Sequence, residues 1–595
     1  MKKYIKNIAL VSLLSVATTA CNDSFLDRTP THNLNDNSYW NTLTDLETYN
    51  KGIYNEAGSN YYYHFMNGFT HTAWSSSYLS APFHEAKSDN FASMVSSHSY
   101  ATEVAAGKNI IPSSPQYGGW YWTLLRRINV SLANSSKVDA SEDAINMYNG
   151  EALFFRAWFY LDKVQRFGDV PYVTIPLETD SEELYGARDP RCDVMDNVLA
   201  DINKAIDYLP IDWGDGEVRV NRGVALALKS RICLYEGTFR KYHGLGDYED
   251  YLKEAVSASE ELMGSDYSYG IYNTGNPASD YAALFNSDDL SGNEEMIFYR
   301  QYVSGLLAHR MCGYLSAHKT TGATKDFVED FLCLEADGSA LPVSLSTSFN
   351  DDSMDDEFDN RDARLAQTIL RPSQKSDILL TSTANYPSVQ GMSGGGALTG
   401  YMLIKYYDKE QDVKGYGKET HDAPLFRYAE VLLNLAEAKA ELGTLSQTDL
   451  DNTVNLIRAR AGLPDLTMDP VMDPKYEDEG LSAVLIEIRR ERRCELSFEQ
   501  LRFTDLMRWK WGTRLNQRYL GMRFEPEWFE EEAFEGSDPS LVILYEDTAT
   551  GKHYVDPYAG TTYEDRSFDE DKNYYYPIPI SAISLNSNLE QTTNW

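Results

Sequence analysis

Five segments of this chain repeat apolar residues at helical spacing and stop on glycine or proline: "GEALFFRAWFYLDKVQRFG", "VMDNVLADINKAIDYLP", "NRGVALALKSRICLYEG", "YLKEAVSASEELMG" and "LFRYAEVLLNLAEAKAELG". Apolar side chains three and four residues apart share a stripe on a helix, and a helix with such a stripe must bury it against a neighbour. In the last segment Leu425, Tyr428, Leu432, Leu435 and Leu442 keep to one face, and Gly443 ends it. Small residues such as Ala225, Ala227, Ala255 and Ala258 let adjacent helices approach. Consecutive segments therefore predict helix-turn-helix pairs of the tetratricopeptide kind, spaced too irregularly for a clean period of about 34 residues. The expected fold class is mainly α: a tetratricopeptide-like helical repeat scaffold with long loop-rich insertions and a few short strands, such as "EEMIFYRQYV" and "SLVILYED".

The N-terminus reads differently. Lys2, Lys3 and Lys6 precede an apolar stretch from Ile8 to Ala17 and the small residues Thr18, Thr19 and Ala20, the pattern of an export signal over 1–20. No run reaches the roughly 20 apolar residues that span a bilayer as a helix. A small residue immediately before Cys21 resembles a bacterial lipobox, with Thr18 standing where leucine is usual. Cys21 is thus the expected lipidation site, and several acyl chains at about 0.8 kcal/mol per buried CH₂ would hold a soluble domain on a membrane.

Charge narrows the ligand. The formal net charge is −37, and losing the three leader lysines leaves −40. Such a field repels phosphate backbones, so nucleic acid is excluded and a neutral ligand is favoured over a polyanion. After Cys21, the remaining Cys192, Cys233, Cys312, Cys333 and Cys494 form neither a dense disulfide framework nor a zinc pattern, and Cys233 and Cys494 are expected as buried thiols. P-loop, dinucleotide, G-x-S-x-G and H-E-x-x-H motifs are absent, and the ten histidines are scattered. No cofactor or metal is expected. A structural calcium is left open at "DDSMDDEFDNRD", which lacks the glycine and closing glutamate of an EF-hand. The run "IRRERRCELSFEQLRFTDLMRWK" places Glu491, Arg492, Glu495, Arg502, Asp505 and Arg508 at helical spacings, where charges pair with one another or with neighbouring helices.

Several stretches, taken in order, resemble the SusD/RagB family of Bacteroidetes outer-membrane lipoproteins: "CNDSFLDRTPT", "EALFFRAWFYLDKVQRFGDVPYVTIPL", "NRDARLAQTIL", "RYAEVLLNLAEAKAELG", "LIRARAGLP", "IRRERRCELSFEQLRFTDLMRWK" and "YYYPIPISAISLNSNLEQ". The resemblance implies a glycan-binding lipoprotein of the outer membrane facing the cell exterior, which delivers oligosaccharide to a SusC-like TonB-dependent barrel without catalysis. A glycan-cleaving enzyme and a helical scaffold for protein partners are the alternative readings. The expected organisation after the signal is one domain over 21–595. Its helical scaffold lies mainly at about 35–265 and 420–515, its ligand-binding loops at about 60–100 and 265–420, and an extended C-terminal segment at about 520–595.

With 42 Tyr, 10 Trp and 23 Phe, the chain carries more aromatic rings than helix cores require. Sugars stack C–H faces on such rings and bond their hydroxyls to Asn, Asp, Arg and His. "NYYYHFMNGFTHTAWSSSYLSAPFHEAKSDN" and "VSGLLAHRMCGYLSAHKT" supply both kinds of group, and in relatives of the family the glycan platform draws on these two regions. The candidate glycan-binding residues are Tyr62, Trp74, Tyr78, Asn90, His309, Arg310 and Tyr314, whereas Tyr281 and Phe285 are assigned to packing.

Overall fold

The computed structural model describes residues 39–59, 68–69, 81–95, 98–115, 119–317, 320–378, 397–415, 417–530 and 542–595. Helices dominate, and among the described residues the strands form only two-stranded ladders.

The predicted helical segments are helices with identifiable ends. α1 (Glu142–Phe167) begins where the Ser141 side chain accepts the Ala144 N–H at 3.3 Å and ends on Gly168, whose φ of 68° suits glycine. It starts eight residues before Gly150, the beginning of the predicted segment, because Ser141 supplies the cap. α2 (Arg191–Tyr208) stops before Pro210, and α3 (Arg222–His243) runs from the Asn221 cap straight through Gly237, the predicted stop, to a left-handed Gly244, because Gly237 lies buried against Leu252 of the next helix. α4 (Tyr248–Leu262) follows after a four-residue turn.

Polar contacts fix how these helices run. Arg240, near the end of α3, reaches Asp196 near the start of α2 at 2.9 Å, and Tyr251 at the start of α4 donates to the same carboxylate at 2.8 Å. At the other end Arg222 meets Glu261 at 2.7 Å. Neighbouring helices are therefore antiparallel, as short connections require. α5 (Tyr428–Glu441) lies alongside α3, tied by Arg231–Glu430, Asn434–Ser230 and Lys241–Glu441.

α5 departs from the one-faced helix that the spacing predicts. Leu432 and Leu435 are buried, but so are Val431, Leu433, Ala436 and Ala438, so the helix is enclosed on nearly all sides. Leu425 lies outside it, in β2 (Ala423–Arg427), which pairs antiparallel with β1 (Met296–Arg300). A ladder partner remote in sequence overrides the helical spacing there.

Two large apolar cores result, with smaller clusters beside them. One joins α1 to α5 and holds Phe154, Phe155, Phe159, Leu228 and Leu432. The other gathers Phe83, Phe91, Tyr281, Phe285, Phe327, Tyr406 and Phe498 beneath the loop-rich parts. Tyr281 and Phe285 are packing residues.

Between the cores runs a buried ion network built on α6 (Ala483–Glu495) and α7 (Arg502–Arg508). Arg427 meets Glu295 at 2.5 Å and Glu495 at 2.9 Å, Arg460 meets Glu295 at 2.9 Å, and Arg364 meets Glu491 at 2.5 Å. Burial alone would raise the Glu495 carboxyl, but Arg460, Arg427 and Arg364 hold it well below the usual carboxylate range. Arg492 and Arg508 both bind Asp505, and Arg502 binds Asp89. The acidic run near Asp351 is likewise matched by cations: Asp351 by Lys552 at 2.6 Å and Asp355 by Arg371 at 2.8 Å.

Candidate glycan-binding face

The two aromatic stretches singled out in the sequence meet in space. β3 (Phe91–Ser93) and β4 (Thr321–Ala323) pair antiparallel, Phe91 opposite Ala323 and Ser93 opposite Thr321. That ladder draws the ends of both stretches together. Tyr314, on the short helix Met311–Ala317, then packs its ring on Phe83 with centroids 4.5 Å apart. Its hydroxyl lies 3.3 Å from His98 Nε2, and His98 Nδ1 lies 2.9 Å from Ser93 Oγ. The ring is only partly buried.

The helix carrying Tyr314 is pinned from below. Glu419, itself buried, accepts the Cys312 N–H at 2.7 Å and the Gly313 N–H at 2.9 Å, satisfying donors that a helix start leaves open. The loop before it closes tightly, with Val303 and Leu307 exchanging both backbone hydrogen bonds and Gly305 at φ 82°. Leu306 at its tip is 86% exposed.

Other predicted contact residues lie elsewhere. Asn90 is fully buried; its amide donates to Glu85 at 3.1 Å and accepts from Arg493 at 2.8 Å. His309 is fully buried, 3.0 Å from the His421 carbonyl and packed among Phe69, Tyr302 and His421. Arg310 is 3% exposed. These three offer no surface to a glycan, because partners on remote segments enclose them. Their part is to hold the face: His309 supports the Tyr314 helix, while Tyr302 donates to the Phe69 carbonyl at 2.8 Å and accepts the Phe69 N–H. Asp422, bonded to the Tyr302 and Leu290 N–H groups, is raised to about 6 by burial.

Tyr62, Trp74, Tyr78 and Cys21 fall outside the described residues. Phe83, His98 and Glu419 were not singled out in the sequence, and only Phe83, inside the aromatic stretch, carried a signal. Among the described residues, no group of three or more His, Cys, Asp or Glu is placed to hold a metal ion, and no helix is long and apolar enough to cross a membrane. All five described cysteines are free.

The class that this helix-rich scaffold defines is a mainly helical protein whose loops gather aromatic rings around Tyr314. Comparison with known proteins gives the family: a SusD family profile matches residues 248–595, and a second profile, described as starch-binding associating with outer membrane, matches 24–234. The chain belongs to the SusD family. It is 24% identical over 475 residues to SusD-like protein P2 of Formosa agariphila, covering 79% of this chain and 78% of that one. A SusD-like carbohydrate binding protein from Bacteroides fragilis superposes with a TM-score of 0.71 at 21% identity, over 93% of this chain and all of the other. A laminarin binding SusD-like protein superposes at 0.58 and 18% identity, again over 93% of this chain and all of the other.

Proposed function

We propose that this protein is a cell-surface lipoprotein that captures oligosaccharide or polysaccharide and delivers it, without catalysis, to a SusC-like TonB-dependent barrel in the outer membrane. The observation that carries the reading is the convergence of two aromatic stretches, more than two hundred residues apart in sequence, on one partly buried ring at Tyr314. On this reading Tyr62, Trp74 and Tyr78 of the same sequence stretch serve as further stacking groups and Cys21 as the lipid anchor. Membership of a carbohydrate-binding family supports this, as does the name of the laminarin-binding neighbour. The charge of −37 favours a neutral glycan.

Calorimetry against laminarin and other neutral glycans tests the reading. Tyr314→Ala should weaken binding of whichever glycan is taken up by about five- to thirtyfold, roughly 1 to 2 kcal/mol of lost apolar contact. No reducing ends should be released on prolonged incubation. Equal affinity of mutant and wild type would remove Tyr314 from the face, and turnover would replace the binding reading with an enzymatic one.

A further inference from the structure

A second, interior site lies between the two cores. A partly open cavity with about 150 Å³ of free space for water-sized molecules is walled by Glu85, Lys87, Trp158, Tyr235, Tyr406 and Gln500, among others. That is the size of an engineered cavity of about 150 Å³ known to accept benzene. The charges on its wall are mostly spent on each other: Arg166 binds Asp162, Arg231 binds Glu430, and Arg492 and Arg508 bind Asp505.

Glu85 is not fully spent. It is 1% exposed; its Oε2 accepts from Ser88 and Asn90, while its Oε1 has no hydrogen-bond partner. Lys87 is partly buried, with Asp162 and Arg166 acting on it electrostatically. A buried polar atom left unpaired costs about 1–3 kcal/mol, so it needs a reason.

The wall is also strained. Among the described residues, Tyr406 (φ 75°), Phe498 (φ 62°) and Gln500 (φ 70°) are three of the seven non-glycine residues held in left-handed conformations. Tyr406 and Gln500 line the cavity, and the Tyr406 hydroxyl donates to the Phe498 carbonyl at 3.1 Å. Lys405 and Arg427 clamp Glu499 between the two strained positions, each at 2.7 Å. Strain of this kind persists only where surrounding structure enforces it, and it gathers at sites that hold ligands.

We infer that this cavity binds one small uncharged polyhydroxy molecule, of the size of glycerol or a tetritol, with hydroxyls bonded to Glu85 Oε1 and Lys87 Nζ and its C–H edges against Tyr406 and Trp158. The inference stands apart from the glycan face, since Tyr314 takes no part in the cavity. Titration leans the same way: burial pushes Glu85 up to about 7 and Lys87 down to about 7, so each loses part of its charge near neutrality.

Saturation-transfer NMR on the full chain with erythritol, competed by glycerol, reads this directly. Wild type should show transfer with a dissociation constant of about 1 to 10 mM, the range open to so few buried atoms. Thr504→Phe, which fills the cavity from a half-buried wall position, should weaken it at least tenfold while the melting temperature holds. Glu85→Gln, of the same shape, should weaken it less. No transfer in wild type, or transfer untouched by a folded Thr504→Phe, overturns the inference. Should Thr504→Phe fail to fold, a crystal of wild type soaked in erythritol decides: the polyol on Glu85 supports the site, and water alone overturns it.

Discussion

Arg427 is a guanidinium with almost no access to solvent, and it satisfies three carboxylates at once: Glu295, Glu495 and Glu499. Removing it strands buried negative charge, so Arg427→Met should cost about 3–5 kcal/mol in urea denaturation. A loss below about 1 kcal/mol would mean the carboxylates find other partners or protonate without penalty. Glu437 shows the same chemistry through pH. Burial would raise its carboxyl, but Arg508, bonded at 2.5 Å, brings it down to about 2 from an ordinary 4.5. A carboxylate depressed in the folded state contributes stability above its unfolded pKa and loses it as pH falls through the folded one. Glu437→Gln should therefore flatten the fall in stability between about pH 4.5 and about pH 2, measured by urea melts across that window, and parallel curves would refute it. At the proposed glycan face, Trp74→Ala with Tyr78→Ala should lower affinity by about five- to 150-fold, roughly 1 to 3 kcal/mol, without changing the melting temperature. A collapsed melt would mark those rings as core. Asn90 shows why single residues were hard to read: its type and its loop-like surroundings suit a sugar contact, but the group that consumes it, Arg493, lies 403 residues away.

Elements were more legible than residues. Gly168 and Gly443 mark helix ends in the sequence because capping chemistry is local, whereas Gly237, read as a stop, lies inside α3, and the caps at Ser141 and Gly244 were missed. The strand at Ala423–Arg427 was not legible, since "LFRY" continues a helical spacing and only Met296–Arg300, far upstream, makes it extended. Burial around α5 exceeds one stripe for the same reason: its neighbours arrive from α3, α4 and α6, which no spacing within the segment reports. Leu432→Ala and Leu435→Ala should each cost about 2 to 5 kcal/mol, as buried leucines do when a cavity is left behind. Affinity for glycan well below melting should hold. Chemical denaturation indistinguishable from wild type would show that the enclosed helix relaxes around the loss.

At the scale of the molecule, the proposed anchor and the net charge make separate claims. Cys21→Ala should yield a folded protein that leaves the outer-membrane fraction, and persistent association after washing would remove Cys21 as the anchor. The ties that close the fold have their own consequence for how it is reached. The Ser93 N–H donates to the Tyr558 hydroxyl, Asp89 accepts from Arg502 and Asn90 from Arg493, separations of 465, 413 and 403 residues. Loops that long are slow to close, and a chain made from its N-terminus exposes the first partner of each pair long before the second exists. The helical pairs from α1 to α4 can form early from near neighbours alone. The segment around β3 can pair with β4 once residue 323 has been made, but its remaining ties wait for the final hundred or so residues, so the nascent chain completes its proposed glycan face last of all.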